Sequence, residues 1–505
     1  MSLKRNIFAN FVGQIYIVLI SIAMMPFYLK YMGAEAYGLI GFFSMLQLIF
    51  SLLDMGLSST IARETARYHG GATDMIEYRK LVRALQIIFL VIALLGASVL
   101  LLSVNGIAST WLKVQALPLD EVRFSLQIMA FSISLRWLIG LYRGIITGAE
   151  RLVWLGNYTV IISTMRFVGA LPVLMFIGAT PTVFFTYQLV VALIEFVGMT
   201  AKAYGLLPSL PKGQRLGWSF APIKPVLKLS LTMALAAMVS VLVTQTDKLL
   251  LSNLLTLADY GHFTLAVLMA GGVMIISSPI TAATMPRMAK LQAQGEHAEL
   301  VTLYRNITQL VVTIAICATL MLAFFSEQVL WAWIGNPSVA HKIAPVLMLY
   351  ALGNGFLTLN MLPYLLQFAK GDIKLQLIGN VLLVILLIPS LIWATRQYGV
   401  VGAGWAWMIA NVLYFLIWVP KIHGRFEKGL HNKWLLHDVG IIALVLVICA
   451  TLMDRLVIWP QGRVYVGMFI VIFGLILLVI ASVASEWIRN TFWKIFLNKL
   501  FTSIS

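Results

Sequence analysis

The chain has 505 residues, of which 61% are hydrophobic and 11% are charged, and its formal net charge is +17. Its mean hydropathy of +0.93 excludes a soluble globular protein, because a water-exposed surface cannot accommodate so much apolar side chain. The positive charge does not indicate nucleic-acid binding, since it is concentrated in the connections between apolar segments. The two cysteines, Cys317 and Cys449, lie in apolar segments and predict neither a disulfide framework nor a zinc site.

Fourteen long apolar segments follow one another along the chain, and we predict that each is a transmembrane helix. They cover about residues 9–31, 37–60, 82–104, 122–147, 152–177, 182–203, 227–252, 260–284, 305–325, 343–367, 375–395, 399–420, 437–454 and 464–486. The segments do not alternate polar and apolar residues as the strands of a membrane barrel do. The predicted fold class is an all-α polytopic membrane protein with about fourteen transmembrane helices.

Lysine and arginine are unevenly distributed over the connections between these segments. The connections that follow even-numbered segments, together with both termini, hold 26 of the 36. The connections on the other face hold seven: Lys30, Lys113, Arg123, Lys342, Arg396, Arg455 and Arg463. Because cytoplasmic loops carry the excess of basic residues, this bias predicts that both termini lie in the cytoplasm.

Two short sequences indicate an internal repeat. Ala36-Tyr37-Gly38 and Asp259-Tyr260-Gly261 each open an apolar segment and lie 223 residues apart. At this offset the first six segments align with the next six, which predicts two copies of a six-helix unit. The predicted organisation is an N-terminal lobe (1–205), a cytoplasmic loop (206–226), a C-terminal lobe (227–421), and two additional helices with a basic amphipathic tail (422–505).

No enzyme motif occurs in the sequence. We find no H-E-x-x-H metal site, no Gly-rich phosphate loop and no G-x-S-x-G nucleophile elbow. We therefore predict a protein that is not an enzyme, with no catalytic residue, no metal site and no cofactor. A membrane glycosyltransferase or polymerase is the alternative from a different class.

Charged side chains within the apolar segments are the candidate functional residues. A charge near the centre of a bilayer costs at least roughly 2.5–3.5 kcal/mol, so such residues usually face a cavity or a partner. The basic members are Arg136, Arg166 and Lys248, which predict a cationic lumen. Arg143 lies two helical turns after Arg136, and it either joins this lumen or only marks the cytoplasmic end of its segment. Guanidinium forks suit phosphate groups, so the lumen predicts an anionic, phosphorylated substrate.

The acidic members are Asp54, Glu195 and Asp247. Asp247 adjoins Lys248, so the two either neutralise each other locally, or Asp247 keeps Lys248 charged and oriented in the lumen. The chain has no nucleotide-binding motif, so transport would be driven by an ion gradient or by consumption of the product. A buried carboxylate can exchange a proton, which makes Asp54 or Glu195 the predicted coupling site.

Four stretches resemble the polysaccharide transporter branch of the multidrug/oligosaccharidyl-lipid/polysaccharide (MOP) exporter superfamily. They are Y-L-K-Y-M-G-A-E-A-Y-G-L-I-G-F-F from Tyr28, L-L-D-M-G-L-S-S-T-I-A-R-E from Leu52, G-L-Y-R-G-I-I-T-G from Gly140, and Q-T-D-K-L-L-L-S-N-L-L-T-L-A-D-Y-G-H-F-T-L-A from Gln245. The resemblance covers roughly the first twelve segments. The last two segments depart from the twelve-span pattern that is more common in this branch.

The resemblance implies a flippase for undecaprenyl-diphosphate-linked oligosaccharide, such as an O-antigen repeat unit, in a bacterial inner membrane. It implies a cationic cavity between two lobes, to which Arg136, Arg166 and Lys248 would belong. The implied partners are the lipid-linked substrate, membrane lipids, and polymerase or chain-length proteins of polysaccharide assembly. Fourteen spans also match the lipid II flippase branch, which is one alternative. A multidrug cation exporter is another, and the basic lumen argues against it.

Overall fold

The computed structural model describes residues 3–54, 56–209 and 224–493, and the side chains within them except those of residues 3–12, 15, 224–237, 240, 276–279, 282–283 and 492–493. Most of the predicted inter-lobe loop 206–226 therefore lies outside the described residues, and so does the predicted tail from residue 494 onward. The chain forms two compact units, Met1–Gly261 and His262–Ser505. The predicted lobe boundaries at residues 205, 227 and 421 stay a prediction.

In its described residues, the first unit contains eight α-helices and the start of a ninth. They are α1 (Leu3–Ser51), α2 (Leu57–His69), α3 (Met75–Gly106), α4 (Leu119–Gly148), α5 (Leu152–Phe167), α6 (Ala170–Phe176), α7 (Pro181–Tyr204), α8 (Lys224–Leu254) and α9 (Leu257–Gln294). A π-helical turn, Ile107–Trp111, extends α3. The core of this unit lies where α2, α3, α4 and α7 pack together through buried aliphatic and aromatic side chains.

The second unit continues from α9. Its helices are α10 (His297–Phe324), α11 (Ser326–Ile334), α12 (Pro337–Ala369), α13 (Lys374–Leu413), α14 (Val419–Phe426), α15 (Leu430–Lys433), α16 (Ile441–Leu456), α17 (Arg463–Ala484) and α18 (Glu486–Ile488). π-helical turns at Tyr414–Trp418, Trp434–Gly440 and Arg489–Trp493 join or extend them. Apart from one isolated β-bridge, between Lys113 and Thr256 in the first unit, the described parts of the chain are helices and their connections.

Eleven helical stretches in the described residues are long and apolar enough to cross a membrane. Two of them, Tyr16–Asp54 and Lys374–Phe426, are interrupted by glycines with non-helical backbone, Gly33 (φ 83°) and Gly399 (φ 61°). Glycine tolerates this left-handed region, which L side chains rarely adopt, so each long stretch turns there and covers two of the predicted segments. The all-α membrane fold is confirmed, and the number fourteen stays a prediction.

The glycine-rich sequence from Gly140 to Gly148 allows α4 to lie close to α2. A Cβ on Gly144 would come within 2.6 Å of the carbonyl oxygen of Ser58, and one on Gly148 would overlap the carbonyl oxygen of Ala62. Helices in membranes associate through such small residues at four-residue spacing, because close backbone approach maximises van der Waals contact. This packing fixes the rotation of α4 and hence the direction of its arginines.

The two Tyr-Gly sequences contact each other reciprocally within the first unit. A Cβ on Gly38 would overlap the carbonyl oxygen of Leu257, and a Cβ on Gly261 would overlap that of Ala34. Leu257 follows Ala34 by 223 residues, as Gly261 follows Gly38. The two close approaches are therefore related by the offset read from the sequence, and the predicted repeat of a six-helix unit stays a prediction.

A buried carboxylate ties the connection between α3 and α4 to the turn in α1. Glu35, two residues after Gly33, accepts hydrogen bonds of 2.9 Å from the backbone N–H groups of Gln115, Ala116 and Leu117. Three successive N–H groups around one anion form a backbone nest, which compensates the charge of Glu35 where its side chain is 8% exposed. The start of α4 is thereby held against α1.

Candidate functional site

Three arginines and one glutamate of the first unit meet on three packed helices, and their spacing explains how. Arg136 and Arg143 lie two turns apart on α4, and Gln188 and Glu195 lie two turns apart on the facing α7. Because the spacing is equal on the two packed helices, two pairs of side chains face each other: Arg136 lies opposite Gln188, and Arg143 lies opposite Glu195. Arg166 joins them from the last turn of α5. We call these five residues the arginine cluster.

Direct hydrogen bonds connect the members of the arginine cluster. Arg136 Nη2 donates to Gln188 Oε1 at 2.9 Å, and Gln188 Nε2 donates to the carbonyl oxygen of Arg166 at 3.0 Å. Arg166 Nη2 donates to Glu195 Oε2 at 2.6 Å, while Arg143 Nη2 lies 3.9 Å from Glu195 Oε1. Gln188 thus uses both ends of its amide to link Arg136 to α5.

The electrostatic balance of the arginine cluster is positive. Arg143 and Arg166 share the carboxylate of Glu195, and Arg136 adds a third guanidinium that bonds to Gln188, which leaves an excess of two positive charges among these residues. Exposure of the side chain decreases from Arg143 (45%) to Arg166 (23%) and Glu195 (6%). Charges in such a partly desolvated place interact more strongly than on the surface, because less water screens them. The cluster therefore attracts anions.

Two donors of the cluster are held ready for an acceptor. The Nε–H groups of Arg136 and Arg166 are buried, and no described protein atom accepts a hydrogen bond from either. The ring of Phe43 lies 5.3 Å from the guanidinium carbon of Arg136, so the aromatic face orients and stabilises the cation. An Arg edge with Nε–H and Nη–H on one side matches two oxygens of a phosphate or carboxylate. The geometry suits bidentate binding of an oxyanion.

Lys248 and Asp247 lie together on α8 and make local contacts. Lys248 Nζ donates to the carbonyl oxygen of Thr244 at 2.9 Å and lies 3.8 Å from Asp247 Oδ1. Asp247 Oδ1 also accepts from the backbone N–H of Lys248 at 2.8 Å, and its side chain is 2% exposed. The structure thus shows the pairing of the two neighbours, and the place of Lys248 in a shared lumen stays a prediction.

Asp54 lies where α1 ends and α2 begins. It accepts hydrogen bonds from Ser58 Oγ at 2.5 Å and from the backbone N–H of Ser58 at 3.2 Å. This is the arrangement of a helix cap, in which a carboxylate compensates an N–H group of the first turn. Capping is thus the role that its contacts show, and its predicted part in ion coupling stays a prediction.

Gln188 and Phe43 are the members of this region that the sequence reading missed. Gln188 is uncharged, so it is not conspicuous within an apolar segment. Its signal was its position, seven residues before Glu195, which matches the spacing of Arg136 and Arg143. Phe43 carries no signal at all, because its role arises only from the packing of α1 against α4.

Comparison with known proteins decides the family. A family profile described as "Polysaccharide biosynthesis protein" matches residues 3–292, which is more than half of the chain and includes the whole arginine cluster. The chain belongs to the polysaccharide biosynthesis protein family. The predicted resemblance to this branch of the MOP superfamily is thereby confirmed. A search of curated proteins found no match.

Three solved structures show that this fold is shared with proteins that are distant in sequence. The lipid II flippase MurJ, in an inward closed conformation, has a TM-score of 0.71 at 15% identity, covering 94% of this chain and 97% of MurJ. An inward-facing multidrug resistance MATE transporter of the MOP superfamily has a TM-score of 0.62 at 15% identity, covering 85% and 96%. The MATE multidrug transporter DinF-BH has a TM-score of 0.58 at 17% identity, with coverage of 85% and 96%. The family member described here therefore has a MurJ- and MATE-like transporter fold.

Proposed function

We propose that the protein is a flippase that moves undecaprenyl-diphosphate-linked oligosaccharide, an O-antigen or related repeat unit, from the cytoplasmic to the periplasmic leaflet by alternating access. The observation that carries this proposal is the arginine cluster, in which three guanidinium groups lie together with a single carboxylate that pairs with two of them. A diphosphate cannot cross hydrocarbon unless opposite charge compensates it, and partly buried arginines supply that charge. No covalent bond is made or broken.

The charge of the cluster also distinguishes this substrate from those of related transporters. A multidrug exporter of cations would need an acidic site, whereas Arg136, Arg143 and Arg166 would repel a cationic drug. Lipid II carries a diphosphate too, and the fold is shared with MurJ over 94% of this chain, so lipid II is the second candidate substrate. The family, whose name refers to polysaccharide biosynthesis, favours the oligosaccharide.

Purified protein in lipid vesicles tests the function directly. We expect it to move a fluorescent undecaprenyl-diphosphate oligosaccharide between leaflets, so that a membrane-impermeant quencher reaches label that was first protected. Ethidium, a planar cation, should not be transported. Lipid II serves as the comparison substrate. Faster movement of lipid II than of the oligosaccharide lipid would assign the protein to lipid II, and transport of ethidium alone would contradict an anionic substrate.

Reporter fusions test the proposed orientation in a bacterial inner membrane with cytoplasmic termini. A phosphatase that is active only in the periplasm should be active when fused after Asn336, which lies on the face poor in lysine and arginine. The same reporter should be inactive after His423, and also after Pro211, which lies outside the described residues. The reverse pattern would show that the chain is inserted with the opposite orientation.

A further inference from the structure

A polar cavity lies in the second unit, among residues that the proposed function does not use. It has a volume of about 280 Å³ and is lined by the N-terminal part of α10 and by the segment that follows α17. α10 contributes Thr302, Arg305, Asn306 and Gln309, and the segment after Ser485 contributes Glu486, Trp487 and Asn490. We call this cavity the tail pocket. The distribution of lysine and arginine places it on the proposed cytoplasmic face.

The floor of the tail pocket is rigid because a fully buried carboxylate holds it. Asp438, which is 0% exposed, binds Arg305 through two hydrogen bonds, from Nε at 2.7 Å and from Nη2 at 3.0 Å. The same carboxylate accepts from Gln309 Nε2 at 2.8 Å. A bidentate pair with a third donor fixes all three side chains in one arrangement, so the guanidinium of Arg305 presents its remaining edge in a constant direction.

The wall of the pocket is fixed by the other end of the same glutamine. Gln309 Oε1 accepts hydrogen bonds from Ser485 Oγ and from the backbone N–H of Trp487, each at 2.9 Å. Ser485 ends α17, so this contact holds the start of the following segment against α10. Trp487, which lines the cavity, is thereby placed opposite the polar residues of α10. Both sides of the pocket are preorganised.

The charge balance of the tail pocket excludes a phosphate as the preferred ligand. Asp438 already neutralises Arg305, and Glu486 adds a further negative charge to the lining. Among the described residues, a phosphate would therefore meet a net negative lining, in contrast to the arginine cluster with its excess of positive charge. The remaining polar groups are the amides of Asn306 and Asn490, which both donate and accept hydrogen bonds, and the hydroxyl oxygen of Thr302, which can accept because its hydrogen is donated to the carbonyl oxygen of Ala298 at 2.8 Å. A neutral ligand rich in hydroxyl groups matches this set.

We infer that the tail pocket binds one sugar ring of the saccharide, an inference that rests on the proposed function. Planar amides, a carboxylate and a guanidinium can pair with the neighbouring hydroxyl groups of a sugar ring. The volume of about 280 Å³ lies at the lower end of ligand pockets, which is enough for one ring and too little for a polyprenyl chain. The tail pocket thus binds a sugar, whereas the diphosphate is the ligand proposed for the arginine cluster.

Saturation-transfer NMR on the detergent-purified full chain tests this site with glucose, galactose, mannose, rhamnose and N-acetylglucosamine as probes. We expect at least one of them to bind, and inorganic pyrophosphate not to compete. Asn306→Leu and Asn490→Leu should each weaken that binding about fivefold to tenfold, because leucine keeps the size but loses the hydrogen bonds. Asn432→Leu, at an exposed asparagine outside the pocket, is the matched control and should bind as the unaltered chain does.

Three outcomes would overturn the sugar site: none of the probes binds, both leucine variants bind as the unaltered chain does, or glycerophosphoethanolamine binds in place of the sugars with the same dependence on Asn306. The last result would identify a pocket for a phospholipid headgroup. Movement of the oligosaccharide lipid is measured on the same preparation. Protein that binds sugar but moves no lipid would contradict the proposed function and leave the sugar site standing.

Discussion

Replacing Arg136 with alanine should reduce movement of the oligosaccharide lipid by about thirtyfold or more, because removing one partner of a desolvated, hydrogen-bonded charge contact costs about 2–5 kcal/mol. Arg136 donates to Gln188 and rests on Phe43, so its guanidinium is oriented before substrate arrives. Arg136→Lys should recover only part of the rate, since an ammonium cannot bind two oxygens in a plane. The rate is measured in vesicles, and surface polysaccharide reports the effect in cells.

The same helix provides the control for this substitution. Arg123 also lies on α4, but it pairs with an Asp120 whose side chain is 92% exposed, and such surface pairs contribute at most about 1 kcal/mol. Arg123→Ala should therefore leave transport near the original rate. Equal amounts of both variants in the membrane exclude a folding defect. If Arg136→Ala still moves the lipid at the rate of Arg123→Ala, the cluster does not bind the diphosphate.

Replacing Glu195 with glutamine should uncouple transport from the ion gradient. Glu195 holds Arg166 at 2.6 Å and lies 3.9 Å from Arg143, so it occupies the place that a substrate oxyanion would take between them. Glutamine is neutral and cannot form these ion pairs, so the substitution leaves both arginines to the substrate. We expect Glu195→Gln to bind pyrophosphate several-fold more tightly than the unaltered chain, and its transport to lose the response to pH or sodium.

Substitutions of two further carboxylates, Asp247 and Asp54, distinguish a loss of ion coupling from other effects of removing a charge. Asp247→Asn should weaken transport without changing its dependence on pH or sodium. Asp247 lies 3.8 Å from Lys248, and its predicted role is to keep this lysine charged and oriented, not to carry an ion. Asp54→Asn tests the other predicted coupling residue. Because Asp54 accepts hydrogen bonds from Ser58, this substitution should also lower the stability of the protein by about 1 kcal/mol. Thermal unfolding measures that loss separately. A full gradient response in both Glu195→Gln and Asp54→Asn would show that the coupling site is elsewhere or that product consumption alone drives transport.

The residues of the arginine cluster were predictable in part because helical spacing is local. A separation of seven residues places Arg136 and Arg143 on one face, whatever that face contacts. Arg166 and Glu195 were conspicuous because a charge is costly in an apolar segment. Gln188 was not predicted, since a neutral amide has no such cost and its role depends on the opposite helix.

Lys248 shows the limit of the same reasoning. Its position in an apolar segment predicted a place beside Arg136 and Arg166, because all three share the cost of burial. The structure instead gives it partners one turn away or adjacent on its own helix, Thr244 and Asp247. The free-energy cost of burying a charge predicts that the charge has a partner, but it does not identify that partner. Its predicted place in the lumen is left to experiment.

By itself the sequence determined the membrane class, because hydropathy is a property of neighbours along the chain. It also singled out Arg136, Arg143, Arg166 and Glu195, while the basic lumen and the repeat offset of 223 stay predictions. It also contained the glycines at positions 144 and 148 without revealing their purpose. Only the tertiary structure decided that these glycines bring α4 onto α2, that Glu195 is shared by Arg143 and Arg166, and that Asp438 fastens Arg305 beneath the tail pocket. Partners of this kind are separated by tens to more than a hundred residues along the chain. A hydrogen bond requires a distance of about 3 Å between donor and acceptor. These contacts therefore follow from the packing of whole helices and not from any local sequence pattern.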